Sequence, residues 1–353
     1  IMKFLSIMKF LYQHGFRKAL STVTQLVETV HDFYLSLQGR QQIDVICVDF
    51  AKAFDKVPHS KLIFKLQQLG LSSDILNWIA AYLENRQQKV RVDDCTSSSL
   101  KVLSGVPQGS VLGPLLFLIF INDISVVVES PVKIKLFADD CLIYAPVTNA
   151  NDQIKINRCL QALHNRCAQW GMEINFSKTT FTHITKKKSV LAYDYKIGNS
   201  LLTRTHSFKY LGVTITSDLG WHTHVEEVCS KAYRKLFYLR KKLEHAPRDV
   251  KLLSYKTFVC PILEYASSVW SPHQQSLRDK IEKIQRLAVR FICSWYRRTE
   301  SVTNLLKSCL LEPLQVRREK QSLKLLFQLI RGEMKINRHI HRTCTQTRSS
   351  VEP

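Results

Sequence analysis

The sequence predicts an α+β unit followed by an all-helical unit, and two patterns support this fold class. Over the first 216 residues, helical stripes of apolar residues are interspersed with short runs, rich in β-branched residues, that are typical of strands. From residue 217 onward only helical spacing recurs. Helices and strands that are followed by helices alone indicate an α+β architecture with a second, helical unit.

The first predicted elements are a helix, a buried strand and a pair of helices. Apolar residues at helical spacing predict a helix over residues 22–37. The run at 43–50 is short, apolar and β-branched, so it predicts a buried strand with Asp49 near its end. Two further helices are predicted over 58–69 and 73–83, because each has an apolar stripe and a start signal.

A glycine-rich loop and a hairpin follow. Residues 89–92 predict a strand edge, and 104–113 predict a loop because Gly and Pro recur in it. A buried helix is predicted over 114–124. The apolar runs on either side of Ala138-Asp139-Asp140 predict a β-hairpin over 133–144 with acidic residues at its tip.

The remaining elements before the helical unit are one long helix and three strands. The amphipathic helix is predicted over residues 152–170, where Gly171 ends it. The strands are predicted at 172–175, 195–197 and 208–215.

Net charge restricts the class of partner. The chain has 51 Lys and Arg against 29 Asp and Glu, a formal net charge of +22, and 45% of its residues are hydrophobic. This apolar content is sufficient for a core and excludes a disordered tail or a small disulfide-stapled toxin. The positive excess is greatest after Gly220, where 26 basic residues stand against 12 acidic ones. It indicates a polyanionic partner, either nucleic acid or an anionic membrane surface.

The cysteines, the most apolar run and the first residue each add one expectation. Ten cysteines without a CxxC pair predict reduced thiols rather than a disulfide framework or a zinc ribbon. The most apolar run, residues 115–121, is too short to cross a bilayer. Because the chain begins with Ile1 rather than Met, we expect it to be a piece of a longer protein.

Three carboxylates carry the chemical signal. Asp49 lies near the end of the predicted strand, and Asp139 and Asp140 lie at the predicted hairpin tip. Adjacent carboxylates between apolar strands repel each other and lose hydration, and a divalent cation removes that cost. If strand and hairpin are neighbours, these residues could hold two Mg²⁺ ions for in-line phosphoryl transfer. Taken alone, the Asp-Asp pair is better explained by a solvated turn, and its surroundings favour the metal site.

Six segments in series carry a resemblance to one family. They are QHGFR at 13–17, VDFAKAFDKVPH at 48–59, GVPQGSVLGP at 105–114, FADD at 137–140, GMEINFSKT at 171–179 and FKYLGV at 208–213. In this order they resemble the fingers motif and the polymerase motifs A to E of non-LTR (LINE-type), Jockey-like retrotransposon reverse transcriptases. The resemblance covers about residues 12–216.

This resemblance implies a right-hand polymerase. It places an antiparallel-sheet palm with partial fingers in residues 1–216, a helical thumb and C-terminal region in 217–334, and a basic tail in 335–353. The implied activity is RNA-directed DNA polymerase, a two-metal nucleotidyl transfer from a dNTP to a primer 3′-hydroxyl. Mg²⁺ is the implied cofactor, with Mn²⁺ as a substitute.

The same resemblance implies the partners. These are an RNA template, a DNA primer or RNA–DNA hybrid, and dNTPs, with no membrane. An upstream endonuclease is implied in the longer parent protein. We expect an intracellular location, either nuclear or cytoplasmic.

Site roles follow from the matching motif positions. Asp49 and Asp139 are implied to bind both metal ions, with Asp140 in support and the backbone carbonyl of Phe50 as a further ligand. Lys178 is implied to donate a proton to pyrophosphate. The implied dNTP-binding residues are Phe54, as a steric gate against a 2′-hydroxyl, with Gln108, Gly109 and Arg17. The implied primer grip consists of Lys209, Tyr210, Leu211 and Gly212.

Two alternatives stay open at this point. One is a catalytically inactive, RNA-binding relic of the same fold, although the chain retains its three aspartates and Lys178. The other is an RNA-dependent RNA polymerase. Asp49 and Asp55 mimic the paired acids of its motif A, but Phe54, the Pro107-Gln108-Gly109 loop and Ala138 disfavour it. We interpret Asp55 as a cap of the next helix. The chain departs from the family at Ala19-Leu20, which weakens the implied role of Arg17.

Overall fold

The computed structural model describes residues 12–295 and 300–334. The chain divides into two units, of which the first contains Phe33–Phe208 and the described residues before Thr22. The second contains Thr22–Asp32 and the described residues from Lys209. The predicted tail at 335–353 lies outside the described residues, and the predicted boundary at 216/217 stays a prediction.

The first unit contains four whole helices and eleven short or long strands among the residues that the structure describes. In addition, α1 (Thr22–Gln38) begins in the second unit and ends in the first. The strands are β1 (Gln42–Val48), β2 (Gln87–Gln88), β3 (Arg91–Val92), β4 (Cys95–Thr96), β5 (Leu100–Lys101), β6 (Lys133–Phe137), β7 (Asp140–Val147), β8 (Thr180–Ile184), β9 (Lys196–Ile197), β10 (Ser200–Leu201) and β11 (Thr203–Arg204). The helices are α2 (His59–Gln68), α3 (Ser73–Leu83), α4 (Leu112–Ile121) and α5 (Ala150–Trp170).

A five-stranded sheet organises this unit, in the order β11-β8-β1-β7-β6. Its neighbouring strands are antiparallel, except that β11 runs parallel to β8. The central strand β1 is buried along nearly its whole length, because both of its edges are paired and both of its faces are covered. The sheet therefore presents the end of β1 in a fixed position.

Local sequence explains the helices that pack near the sheet. The helix α4 is apolar on all sides and is buried from Leu116 to Ile121. The helix α5 begins with a capping box, in which the Asn149 side chain accepts backbone N–H bonds and the Asp152 carboxylate accepts the backbone N–H of Asn149. It ends at Gly171, whose φ of 74° is readily adopted only by glycine. In contrast, β2–β5 are exposed at every residue.

The second unit is mainly helical. Its only described strands are β12 (Ser207–Tyr210), which begins two residues before the division, and β13 (Val213–Thr216). Its helices are α6 (His222–Lys242), α7 (Arg248–Phe258), α8 (Cys260–Glu264), α9 (Ser267–Trp270), α10 (Gln275–Ile292), α11 (Val302–Ser308) and α12 (Leu314–Ile330). Within the described residues, none of the chain's helices has the length and apolarity that a membrane span requires.

The structure corrects four local predictions. Residues 172–175 form no strand, and only Ile174 makes an isolated bridge, to Phe50. The segment 208–215 is two strands rather than one. The helix predicted over 114–124 spans Leu112–Ile121 and is followed by a 3₁₀ turn. The helix α2 has Pro58 as its N-cap residue, so Asp55 does not cap it.

A buried polar network holds β1 from one side. The carboxylate of Asp44, which is fully buried, accepts hydrogen bonds from Gln42 (2.7 Å), Tyr195 (2.6 Å) and Gln153 (3.1 Å). His183 on β8 lies 2.6 Å from the same carboxylate. Burial and the Asp44 charge raise the pKa of the Tyr195 hydroxyl far above its usual range. The four partners satisfy a carboxylate that would otherwise be costly to bury.

We expect Asp44→Ala to lower the free energy of unfolding by about 3–5 kcal/mol, because it leaves several buried polar groups without their acceptor. Asp44→Asn should cost less, because it keeps one acceptor oxygen. Urea denaturation measures both. Asp74→Ala, at an exposed position in α3, is the control and should cost no more than ~1 kcal/mol. An equal loss for Asp44→Ala and Asp74→Ala would contradict the role of the network.

Candidate active site

The pairing of β1 with β7 brings the first carboxylate to the hairpin. Val48, the last residue of β1, lies opposite Cys141 in an antiparallel register. Asp49 therefore leaves β1 beside Asp140, the first residue of β7. The metal-site hypothesis from the sequence required the strand near Asp49 and the hairpin to be neighbours. In the structure, β1 and β7 are adjacent strands.

The predicted hairpin is confirmed in its turn as well as its strands. Phe137 at the end of β6 pairs with Asp140 at the start of β7. Only Ala138 and Asp139 remain to make the turn. Asp49, Asp139 and Asp140 thus lie at the same edge of the sheet, where the ends of β1 and β6 meet the start of β7.

The electrostatics of this edge are unfavourable in the free protein. Loss of hydration, followed by the charges of Asp139 and Asp49, raises the pKa of Asp140 to about 6, although its side chain remains partly exposed. Burial, with a smaller contribution from Asp49, also raises the pKa of Asp139. In residues 12–295 and 300–334, no Lys, Arg or His forms an ion pair with any of the three.

These residues fit a divalent cation through their donor chemistry. Carboxylate oxygens with uncompensated charge are the donors that Mg²⁺ prefers. Their side chains are not preorganised as ligands, since no three His, Cys, Asp or Glu in the described part of the chain form a ready metal-binding group. Phe50, the predicted carbonyl ligand, follows Asp49 directly and is buried. Its assignment and those of the aspartates stay predictions.

A turn at residues 175–179 supports Asp49 and carries Lys178. The backbone N–H of Asn175 donates to the Asp49 carbonyl (2.8 Å), and the Asp49 N–H donates to the Thr179 hydroxyl (3.2 Å). Thr179 is fully buried, whereas Lys178 is exposed. Sequence reasoning missed Thr179, because a threonine beside a motif lysine gives no separate signal.

The predicted steric gate rests on a second aromatic ring. Phe54 stacks on Phe117 of α4, with ring centroids 4.0 Å apart and an angle of 21° between the ring planes. The Phe54 carbonyl accepts the N–H of Val106 (2.9 Å), which fixes the backbone beneath the ring. Phe117 is fully buried, and Phe54 keeps part of its surface exposed. Phe117 was not singled out in the sequence, because an apolar helix residue is ordinarily a core residue.

The glycine-rich loop is fastened to the segment after Asp49. Gln108 donates from its amide to the carboxylate of Asp55 (2.8 Å), and Ser104 donates from its hydroxyl to the Asp55 carbonyl (2.8 Å). A Cβ on Gly105 would lie 2.7 Å from the Asp55 backbone, so only glycine fits there. Gly109 has φ 82° and open space around it, which explains this glycine by conformation. Asp55 therefore orients Gln108.

Arg17, the remaining predicted dNTP-binding residue, lies in the same unit. Its guanidinium donates a hydrogen bond to the backbone carbonyl of Gln13 (3.2 Å). Burial lowers the pKa of Arg17 below its ordinary value. Its predicted contact with the dNTP stays a prediction.

The predicted primer grip belongs to the second unit. Leu211 and Gly212, with φ of 45° and 82°, form the two-residue turn between β12 and β13. The Tyr265 hydroxyl donates to the Leu211 carbonyl (2.9 Å), and Tyr210 is buried and accepts a hydrogen bond from Gln25 (2.9 Å). Lys209 is exposed. The turn is rigidly held, and its contact with a primer stays a prediction.

Comparison with known proteins identifies the class. The sequence pattern of the family described as "Reverse transcriptase (RNA-dependent DNA polymerase)" matches residues 7–215. This range contains the three aspartates, the glycine-rich loop and the turn at 175–179. It spans more than half of the chain, and the chain therefore belongs to the reverse transcriptase family.

Within that family the chain is a reverse transcriptase domain of the non-LTR retrotransposon group, as its motifs predict. It is 31% identical over 309 residues to the "RNA-directed DNA polymerase from mobile element jockey" of Drosophila funebris. It is 28% identical over 300 residues to the "Probable RNA-directed DNA polymerase from transposon BS" of Drosophila melanogaster. These alignments cover 82% and 81% of this chain but 33% of each relative, so the chain spans about a third of their length.

A solved structure supports the fold. Apo telomerase from Candida tropicalis superposes with a TM-score of 0.50 at 12% sequence identity, over 87% of this chain and 50% of that chain. Together with the α+β arrangement of the first unit and the helices of the second, this likeness confirms the predicted right-hand polymerase fold.

The raised pKa of Asp140 makes the stability of the chain depend on pH. A carboxyl whose folded-state pKa exceeds its unfolded value favours the folded state when protonated. We therefore expect the free energy of unfolding to rise as the pH falls from about 7.5 through 6 toward 4.5. Urea denaturation across this range measures it. Asp140→Asn should reduce the slope and stabilise the chain at neutral pH, whereas an unchanged slope would contradict the assignment.

Proposed function

We propose that this chain is the catalytic part of an RNA-directed DNA polymerase, which extends a DNA primer with dNTPs along an RNA template. The observation that carries the proposal is the meeting of Asp49, Asp139 and Asp140 at one edge of the sheet. No Lys, Arg or His among the described residues forms an ion pair with these carboxylates, so their mutual repulsion is not compensated. The names of the relatives, which state an RNA-directed DNA polymerase, support this choice of reaction.

The three aspartates would hold two divalent ions, Mg²⁺ or in its place Mn²⁺. Asp49 and Asp139 would bind both, Asp140 would support them, and the Phe50 carbonyl would add a ligand. When bound, such ions lower the pKa of the primer hydroxyl and stabilise the charge on the leaving pyrophosphate. The raised pKa of Asp140 agrees with this role, because a poorly compensated carboxylate gains most from a nearby cation.

The other residues of the site would bind and select the nucleotide. Phe54 would lie under the sugar and exclude a 2′-hydroxyl, and Gln108, Gly109 and Arg17 would contact the dNTP. Lys178 would hold a proton on Nζ and transfer it to pyrophosphate. Its exposure and its place in the turn that holds Asp49 support this role.

The second unit would bind the template–primer hybrid. The primer grip at Lys209, Tyr210, Leu211 and Gly212 would contact the primer. Helix α6 exposes basic side chains suited to the backbone of a nucleic acid: Lys231, Arg234, Lys235, Lys241 and Lys242. In the longer protein, an upstream endonuclease and a nuclear or cytoplasmic location are part of the same proposal.

Primer extension tests this function. With poly(rA)/oligo(dT), dTTP and Mg²⁺, we expect extension by the wild-type chain and a loss on the order of 10³-fold in Asp139→Ala/Asp140→Ala, because metal ligation supplies several kcal/mol. The matched control is Asp93→Ala/Asp94→Ala, another pair of adjacent aspartates in an exposed hairpin. It should retain full activity.

The alternatives predict different outcomes of the same assay. Binding of the hybrid without extension would favour the catalytically inactive relic. Incorporation of UTP at least as efficient as that of dUTP would favour an RNA-dependent RNA polymerase. Equal activity in both double variants would overturn the assignment of the aspartates.

The stacked ring of Phe117 predicts a change in sugar selection. Phe117→Leu removes the support of Phe54, so we expect the preference for dUTP over UTP to fall about three- to tenfold, the worth of an aromatic pair. Phe54→Val should lower it further. The ratio of kcat/KM for the two nucleotides measures the effect. Phe120→Leu, a buried α4 residue that packs on Trp170 instead, should leave the ratio unchanged.

A further inference from the structure

A buried glutamine side chain holds the turn that carries Asp139. Gln13 is 1% exposed. Its amide oxygen accepts the N–H of Ala138 (2.8 Å), and its amide nitrogen donates to the Ala138 carbonyl (3.1 Å). The same oxygen accepts the N–H of Gly15 (2.8 Å). One side chain therefore satisfies both backbone groups of the residue that precedes Asp139.

The backbone around Gln13 is itself fixed to the hairpin. His14 donates its N–H to the Leu136 carbonyl (2.9 Å), and Leu136 donates to the Tyr12 carbonyl (2.9 Å). Gln13 and Leu136 thus form a short parallel bridge at the edge of β6. These bonds prevent the glutamine from moving independently of the strand that leads into the turn.

Gly15 allows the close approach that these bonds require. A Cβ at this position would lie 2.5 Å from the Ala138 nitrogen. At that distance one of the two backbone segments would have to move. The residue pair Gln13 and Gly15 therefore matches the turn by hydrogen bonding and by shape. Both belong to the QHGFR segment, to which the sequence assigned only Arg17 a role.

The turn needs this support because of its conformation and its charge. Ala138 has φ 56°, a left-handed conformation that residues other than glycine adopt reluctantly. The next two residues are the carboxylates Asp139 and Asp140, which repel each other and Asp49. Without an external restraint, both effects favour a different course of the chain at the turn.

We propose that Gln13 is a positioning residue, which sets the direction of the Asp139 carboxylate through the Ala138 peptide. This proposal rests on the proposed polymerase function. Gln13 touches neither substrate nor reacting atoms in this role. Because Arg17 donates to the Gln13 carbonyl, the same residue links a dNTP-binding candidate to the turn that carries the metal ligands.

Gln13→Met tests the proposal, because methionine keeps the volume and loses the hydrogen bonds. We expect kcat for primer extension to fall ~10- to 100-fold, the effect of a small misplacement of reacting groups, with KM for dTTP little changed. The matched control is Gln153→Met, since Gln153 is equally buried and donates two hydrogen bonds away from the turn. It should lower stability comparably and leave kcat within about twofold.

A second variant tests the steric part. Gly15→Ala should lower kcat in the same way, because the new methyl group displaces the Ala138 nitrogen. Gly39→Ala is its control, since a Cβ there would meet its nearest neighbour at 3.4 Å. Equal kcat values in Gln13→Met and Gln153→Met, or full activity in Gly15→Ala, would overturn the proposal.

Amide hydrogen exchange separates this proposal from the polymerase function. In Gln13→Met we expect faster exchange in peptides that contain Ala138, with unchanged protection in β1 and β8. Gln153→Met should not show this local change. If the wild-type chain extends no primer, the polymerase function fails, and the exchange result alone decides whether Gln13 holds the turn. Unchanged exchange at Ala138, or an equal increase across the sheet, would overturn it.

Discussion

The repulsion among Asp49, Asp139 and Asp140 is the constraint on which the candidate site depends. Carboxylates that share an edge of a sheet tend to separate or to take up protons, and loss of hydration together with the charges of Asp139 and Asp49 raises the pKa of Asp140 to about 6. Antiparallel pairing of β1 with β7 nevertheless keeps the carboxylates together. The two strands pair over seven residues each, up to Val48 and Cys141. The sheet thus supplies the free energy that holds a charge arrangement suited to a cation.

Backbone hydrogen bonds hold the main chain beside these carboxylates. Thr179 and Asn175 bond to the backbone of Asp49 on both sides, and Gln13 bonds to both backbone groups of Ala138. In each case a buried or constrained polar group bonds to the main chain and not to a carboxylate. A side chain that bonded directly to the carboxylates would compete with the proposed metal ions. Support through the backbone avoids that competition.

The nucleotide-binding candidates are held by the same kind of indirect contact. Phe54 is supported by the ring of Phe117, and Gln108 is oriented by Asp55. A carboxylate accepts hydrogen bonds, so Asp55 accepts one from the amide nitrogen of Gln108. The amide oxygen of Gln108 is left available. Near the other end of β1, Asp44 and its four partners hold the strand rigidly. The Asp44 network and the candidate site therefore lie at opposite ends of β1.

The sequence by itself determined the family, the motif order, the hairpin with its acidic tip, and the helices with clear apolar stripes. These features are local, because periodicity, caps and turn residues act over a few neighbours. Only the tertiary structure decided the strand Thr180–Ile184, whose buried Thr182 and His183 show no alternation of polar and apolar residues. It also decided the contacts of Gln13, Asp55, Thr179 and Phe117. Each acts on a partner at least 50 residues away along the chain, where no local sequence pattern can record the contact.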